Sequence, residues 1–419
     1  MSETICALDV VTTKICALIA QVDETGKLNV IGASRAPARG LRRGVVVNKA
    51  EATEAIGKAV LEAEQIAGVA MEAAYVGVSG AHVTVLSSTG NVAIKGANHQ
   101  VSSEDCQRAL EAARNNINLA PNREIISTTA RSYSVDGESG IQNPLGMQGD
   151  RLDVDALVIS GSPSAIANLS DCIKSNGVAI RDLVLQPLAS GEAVLTDDER
   201  KAGVVVVDIG GGTTDVAVYM ESAPWHTHVL EIGGEHLIRD VGAGLRMPFD
   251  QAEAVIKQFG HALPERVPPD AEVRTGAFGQ EGQQVIRRRA LAEIINARVE
   301  EIAEMIFWEV KRSGYDGLLP AGLVLTGGVA QLAGIGELSR NHMQWPVRIG
   351  RPDGSRDGSQ PDGVISSAFD LSSPEYATAV GLLLWGLRSP SQPRASDPVH
   401  RSFWQVLKEW IVKVLPVPG

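Results

Sequence analysis

The stretch from Val204 to Tyr219 limits the possible folds more than any other in the chain. Four consecutive valines, Val204–Val207, are too few for a helix and too apolar for a strand with one wet face. They read as a strand covered on both faces. At its end come Asp208, the glycines Gly210, Gly211 and Gly212, then Thr213, Thr214 and Asp215, after which a second β-rich run begins. Glycines in such a turn reach positive φ and lack a Cβ, so backbone N–H groups can close around a phosphate. Thr213 and Thr214 add hydroxyl donors, and Asp208 and Asp215 can hold a Mg²⁺ that bridges phosphate oxygens. The plainer alternative is a tight hairpin with a glycine-rich bend.

The chain nearly repeats this pattern near its start. Ile5–Leu8 is followed by Asp9, a short turn with Thr12, Thr13 and Lys14, and a second apolar run to Ile19. Aligning Asp9 with Asp208 aligns strand, acid, turn, threonine and returning strand, which predicts two similar halves facing one another. Further on, Gly322–Thr326 is again a buried-type strand, and it ends in Gly327, Gly328 and Val329. Two acid-bearing hairpins followed by a strand with a Thr-Gly-Gly turn resemble the actin/Hsp70/hexokinase ATPase superfamily. That resemblance implies an α/β actin-like fold, two similar halves around a nucleotide cleft, with Gly327, Gly328 and Val329 against the adenosine.

The 419 residues suffice for two or more hydrophobic cores. A formal charge of −12, with no domain carrying a basic footprint, argues against a nucleic-acid binder. Met1–Thr4 leads straight into a strand with no N-terminal signal pattern, and no apolar run is long enough to span a bilayer. Cys6, Cys16, Cys106 and Cys172 show neither Cys-x-x-Cys nor metal spacing and read as small buried hydrophobes in a reducing cytosol.

Along the chain, Leu28–Ala33 reads as a third strand, followed by an arginine-bearing loop. Asn48 caps a helix over Lys49–Ala67 that Gly68 stops, and Ala74–Ser79 is a buried strand. From 81 to 162 the pattern shifts to a small inserted α+β module. In it His82–Ser87 and Asn91–Ile94 flank a turn, a helix starts at Ser102 or Ser103, and strands lie near Glu124–Tyr133 and Arg151–Ile159. Helix Pro163–Asn176, strand Ile180–Leu185 and a helix entered through Gln186-Pro187 then return to the first core. Gln186 is positioned either to orient an attacking water or simply to bond backbone at the helix start. The pair Gly233-Gly234 opens a helix and offers a further anion site. Another helix runs from Pro248 to Phe259, His261–Gln284 reads as an exposed excursion, and a long helix covers Val285–Arg312. Arg287, Arg288 and Arg289 with Arg298 form a basic strip on that helix. Arg351–Gly363 is a surface loop, and Tyr376–Gly386 is a small-residue helix that packs close to a neighbour.

Residues 389–400, rich in Pro and Ser, read as a flexible linker. Beyond them Phe403, Trp404, Leu407, Trp410, Ile411 and Val414 share one face of a helix over 401–415, with Arg401, Lys408 and Lys413 away from it. About four turns cannot cross a bilayer but can lie in its interface on anionic lipid. The alternative is a terminal helix docked on the protein body. One such helix binds weakly, so stable attachment requires many copies on one polymer.

With the tethered helix and the inserted module, the resemblance narrows to the FtsA family of bacterial division proteins. It is carried by Gly40–Val46, Val78–His82, Gly140–Gly146, Val204–Asp215, Leu325–Leu332 and Ala377–Leu383. The family architecture implies subdomain 1A over 1–80 and 163–197, an inserted subdomain 1C over 81–162, 2A over 198–235 and 313–388, and 2B over 236–312. It also implies ATP with Mg²⁺ as ligands and at most slow ATP hydrolysis. Residue by residue, the carry-over places phosphate at Thr12, Thr13, Lys14 and Gly210–Thr214, and the metal near Asp9, Asp208 and Asp215. Asp208 and Gln186 take catalytic places, while Gly233, Gly234, Glu253, Lys257 and Gly327–Val329 lie around the nucleoside. Implied partners are further copies of itself, later division proteins, anionic membrane lipid and the FtsZ C-terminal tail at Arg287, Arg288 and Arg298, with no nucleic acid. The implied location is the cytoplasmic face of the cell membrane at the division site. Two positions depart from the family pattern. Val11 stands where the first loop usually has Gly, and Lys257 follows Glu253 by four places where three are usual. A PilM-like envelope adaptor and a small-molecule kinase share the superfamily; no base beside a second substrate pocket favours the kinase.

Overall fold

The computed structural model describes residues 3–95, 97–276, 283–352, 364–365 and 369–388. The linker 389–400, the amphipathic helix 401–415 and most of the loop 351–363 lie outside the described residues.

Two sheets with one topology dominate the chain. In the first, the strands run in the order Ala179–Leu185, Ala73–Val78, Thr4–Val10, Lys14–Val22, Leu28–Pro37, with Val364–Ile365 added at the edge. In the second the order is Val347–Ile349, Leu323–Thr326, Val204–Ile209, Thr214–Met220, Ala223–Leu230. Each has an antiparallel three-strand meander on one side of its acid-bearing strand and parallel neighbours on the other. The registers correspond as well: Asp9 lies opposite Cys16 and beside Gly77, while Asp208 lies opposite Asp215 and beside Thr326. Every residue of Val204–Ile209 is buried, as a strand covered on both faces must be. The internal repeat is thus a structural duplication.

Helices cover both sheets. Lys49–Ala67 is capped by the Asn48 side chain and stopped by Gly68 at φ 70°. Helices Gln186–Val194 and Ala377–Arg388 cross where Gly381 meets Ala189. A Cβ on Gly381 would fall 1.7 Å from the Ala189 carbonyl oxygen, so only glycine permits this approach.

The inserted module is a separate four-stranded sheet, Thr84–Ala93, Arg151–Gly161, Glu124–Val135, Glu138–Ile141, with helix Ser103–Asn115 on it. That helix starts with a capping box between Ser102 and Asp105. The expected turn between two short strands is replaced by one strand, Thr84–Ala93. Gly90 is there for contact rather than for turning, because a Cβ would fall 2.1 Å from the Ala109 carbonyl oxygen of the covering helix. The third strand also runs farther than expected, to Pro37, because it pairs with Lys14–Val22 along its whole length. Residues 261–284 are not a bare excursion: Glu272–Gly276 pairs with Gln283–Arg287, with Val273 and Ile286 buried. The long helix therefore begins at Arg288, not Val285, and ends at Ser313. Helices Asp197–Ala202 and Ile335–Met343 and strand Ala223–Leu230 were not expected. Among the described residues no helix is long and apolar enough to cross a membrane.

The helix crossing gives a stability prediction. A methyl at residue 381 raises helix propensity by up to ~1 kcal/mol, but forcing two backbones apart costs about 1–3 kcal/mol, so Gly381→Ala is expected to lower the melting temperature. Gly317→Ala, whose Cβ would meet nothing within 4 Å, should stay within about 0.5 kcal/mol of the parent. Equal melting temperatures for the two variants would contradict the packing argument.

Candidate functional site

The two hairpin turns meet face to face. A Cβ on Gly211 would lie 2.3 Å from the Thr13 methyl, and one on Gly212 would lie 2.6 Å from the Thr12 hydroxyl. Only bare glycine backbone fits this approach. Among the described residues the N–H groups of Thr12, Thr13, Gly211, Gly212 and Thr213 have no hydrogen-bond partner, whereas Gly210 N–H closes its own turn onto Thr213 O at 2.9 Å. Five unpartnered backbone donors on two opposed turns form a cradle suited to an oxyanion.

Beneath the turns lie three buried carboxylates: Asp9, Asp208 and Asp215, with exposures of 1%, 9% and 3%. Asp9 accepts from Gln186 Nε2 at 3.0 Å, so Gln186 bonds an acid of the cleft rather than the backbone. Asp208 accepts from Ser190 Oγ at 2.6 Å and Thr378 Oγ1 at 3.0 Å. Its other oxygen is crowded by Gly327, where a Cβ would fall 2.3 Å away and φ is +87°. Asp215 accepts from Thr213 Oγ1 at 3.2 Å and from Ser79 Oγ in the opposite half.

Burial pushes Asp9 up to about 7; the Lys14 charge opposes this, and Asp208 adds to it. Burial likewise lifts Asp215 to about 7, against its Ser79 bond, with Asp208 again adding. Asp208 is raised by burial and held back by its two hydroxyl donors and by Lys14. Among the described residues no three His, Cys, Asp or Glu side chains converge as a metal cage. Mg²⁺ does not need one: it is held through one or two carboxylates, water and phosphate. Buried acids that repel one another fit a divalent cation beside an oxyanion cradle.

Other expected residues fall less simply. Lys14 turns to Glu375, bonding its backbone oxygen and carboxylate, and lies 5.6 Å from the Tyr376 ring. The start of helix Gly234–Gly244 is not an open anion site. Gly234 N–H donates to Gly210 O, Glu235 N–H to Gly211 O, and Gly233 N–H to His236 Nδ1. What Gly233 and Gly234 supply is space: a Cβ on Gly233 would strike Gly210 O at 2.7 Å, and one on Gly234 would meet Val329 at 3.0 Å. Gly328 is exposed beside them. Glu253 and Lys257 pair with each other at 2.6 Å on an exposed helix face.

The basic strip is only partly neutralised: Arg289 faces Glu293 at 3.8 Å and stays half exposed. Arg298 pairs with Asp240 at 2.5 Å and with Glu301, and Arg288 Nε donates to Phe259 O at 2.8 Å. Arg287 is exposed. Sequence reasoning missed Ser79, Ser190 and Thr378. Ser79 follows the end of a strand, Thr378 opens a helix and Ser190 lies in the middle of one, so only contact reveals that all three reach the acids.

The raised acids give a pH prediction. Their folded pKa values of about 7 exceed the ordinary 3.8, so between those values the folded chain binds more protons than the unfolded one. Stability must then fall as pH rises through that window and level off above it. Melting temperatures without added nucleotide should drop between about pH 5 and about pH 7, and Asp215→Asn should flatten the slope. A parent curve with no fall there would contradict this.

The sequence matches the family described as "Cell division protein FtsA" over residues 205–381 and "SHS2 domain inserted in FTSA" over 80–160. It is 35% identical over 418 residues to the cell division protein FtsA of Pseudomonas aeruginosa, covering 98% of this chain and 97% of that protein. To its counterpart in Neisseria meningitidis it is 38% identical over 380 residues, covering 90% and 89%. Among solved structures, a PilM–PilN type IV pilus biogenesis complex superposes with a TM-score of 0.64 at 16% identity, covering 91% of this chain and 98% of that one. MreB5 of Spiroplasma citri bound to ADP gives 0.55 at 12% identity, covering 91% and 96%. These two share the fold, which is actin-like. The duplicated sheets, the module set between them and the similarity along nearly the whole chain place this protein in the FtsA family of cell division proteins.

Proposed function

We propose that this chain binds ATP with Mg²⁺ between its two hairpin turns and assembles on the cytoplasmic face of the cell membrane at the division site. There it anchors FtsZ filaments and recruits later division proteins. The observation that carries the nucleotide reading is the facing pair of turns with five unpartnered N–H groups above three buried acids. The ADP held by MreB5, which has the same fold, supports it. Asp9, Asp208 and Asp215 would hold Mg²⁺, which would neutralise charge on the phosphates and on the acids themselves. Thr12, Thr13 and Gly211–Thr213 would bind and orient the phosphates, with Gly210 and Thr214 holding the turn behind them; Gly234, Gly327, Gly328 and Val329 leave room for the nucleoside. Gln186, fixed by Asp9, is set to orient a water, and any hydrolysis is slow. In this reading the subdomains run as 1A over 1–80 and 163–197, 1C over 81–162, 2A over 198–235 and 313–388, and 2B over 236–312.

Membrane attachment rests on the apolar face of residues 401–415 and needs many copies in one polymer. The FtsZ tail is acidic in this reading and meets the start of helix Arg288–Ser313. Arg287 and Arg289 are exposed cations there, while Arg288 and Arg298 shape the surface through their partners.

Binding of a fluorescent ATP analogue with Mg²⁺ tests the cleft. Gly211→Val, which drives a side chain into Thr13, should weaken it at least tenfold, whereas Gln186→Ala should retain binding and slow any turnover. Undiminished binding by Gly211→Val would sink the reading. Co-pelleting with vesicles containing phosphatidylglycerol tests the membrane part. Deleting 401–419 should abolish pelleting, Arg287→Glu should leave it intact while releasing an FtsZ tail peptide, and persistence after the deletion would overturn the anchor.

A further inference from the structure

Away from the cleft, a cavity of about 180 Å³ opens where the inserted module, both halves and the last helix come together. Thr129 of the module, Leu188 and Glu192 of helix Gln186–Val194, Tyr219 of the second sheet, and Trp385 and Arg388 of the last helix line it, with Arg200. Its charges do not balance. Arg200 and Arg388 both pair with the one carboxylate of Glu192, Arg200 at 2.6 Å. Asp197 acts on Arg200 electrostatically but does not line the cavity.

Arg200 is unusual in its own right. It is 6% exposed, gives one amine to Glu192 and another to Gly191 O at 2.9 Å, and lies 5.6 Å from the Tyr219 ring centroid. Its Nε is buried and has no acceptor among the described residues. That atom has no exposed surface, so Arg200 lends the cavity positive charge from behind the wall rather than a free donor. Arg388, with a side chain 49% exposed, stands at the mouth with donors beyond those given to Glu192. Ser222 and Thr129 add hydroxyls on the wall.

We propose that this cavity binds a small phosphate ester, with Arg388 and the wall hydroxyls taking the oxyanion and Trp385, Tyr219 and Leu188 covering its carbon part. Arg388 suits phosphate because its guanidinium presents a planar fork of donors, and the buried Arg200 adds charge behind it. The volume admits a phosphate with a few carbons and excludes a nucleotide. Such a ligand has two possible sources. It is a soluble phosphate ester, or it is the headgroup of an anionic phospholipid, since Arg388 directly precedes in sequence the segment 389–419 with its amphipathic pattern.

The test follows Trp385 in the full-length protein labelled with 5-fluorotryptophan, its ¹⁹F signal assigned by Trp385→Phe. The expected result is a saturable shift of that signal on titrating sn-glycerol 3-phosphate. Arg388→Gln should weaken the apparent affinity at least tenfold, whereas Arg200→Lys, which keeps the charge behind the wall, should largely retain it. Arg388→Gln decides alone if Arg200→Lys fails to fold. Phosphatidylglycerol vesicles reproducing the shift, with phosphatidylcholine vesicles silent, would assign the lipid source; response to the soluble ester alone would assign the other. No shift, or one unchanged in Arg388→Gln, overturns the proposal.

Discussion

The structure turns on one buried carboxylate. Asp208 ends a strand of valines and is only 9% exposed, an environment that disfavours its charge. Two hydroxyls offset that cost, Ser190 from helix Gln186–Val194 and Thr378 from helix Ala377–Arg388. Because the two donors come from different helices, satisfying one acid fixes both against the central strand. Ser190 and Thr378 also lie 2.9 Å from each other, which closes the triangle. Gly327 completes the arrangement by leaving out the Cβ that would strike Asp208. The cleft chemistry and the seam between the halves are in this sense one set of contacts.

What the sequence made legible was whatever repeats or is extreme. A run of four valines, an acid at a fixed distance from a turn, and the same order near the N-terminus led directly to two sheets of one topology. What stayed hidden were features decided by neighbours. Gly90 looks like a turn residue, and turns are the commoner use of glycine in such a context. Here its missing Cβ seats a helix against the strand. Residues 261–284 look loose because Pro, Gly and charge dominate, yet two inward residues, Val273 and Ile286, are enough to make a hairpin. The extra length of the third strand was obscured by Arg35 and Pro37, which are the exposed positions of an alternating edge pattern.

Charge misled in a similar way. A cluster of arginines on an acidic chain invites an acidic partner, but charge in sequence is not free charge in space. Arg298 lies between Asp240 and Glu301, and Arg288 donates to the C-terminal end of the helix before it. Lys14, written beside two threonines in a phosphate-type turn, has Glu375 for a partner. The glycine pair at 233–234 shows the same limit for backbone donors, since its helix start is already satisfied by the carbonyls of Gly210 and Gly211. That satisfaction ties the second turn to the helix behind it, so a ligand entering the cradle meets a turn braced from the rear.

The bracing extends beyond the cleft. Helix Gln186–Val194 touches Asp9 through Gln186, Asp208 through Ser190 and Arg388 through Glu192. Helix Ala377–Arg388 touches Asp208 at its start and Glu192 at its end. The two cross at Ala189 and Gly381 with no side chain between them. A pair pinned at both ends and in contact at its crossing resists bending of either member alone. The acids of the cleft and the C-terminal end of the described chain are thus joined through one tightly packed helix pair. The glycine that permits the close crossing lies between Thr378, which meets Asp208, and Arg388, which meets Glu192.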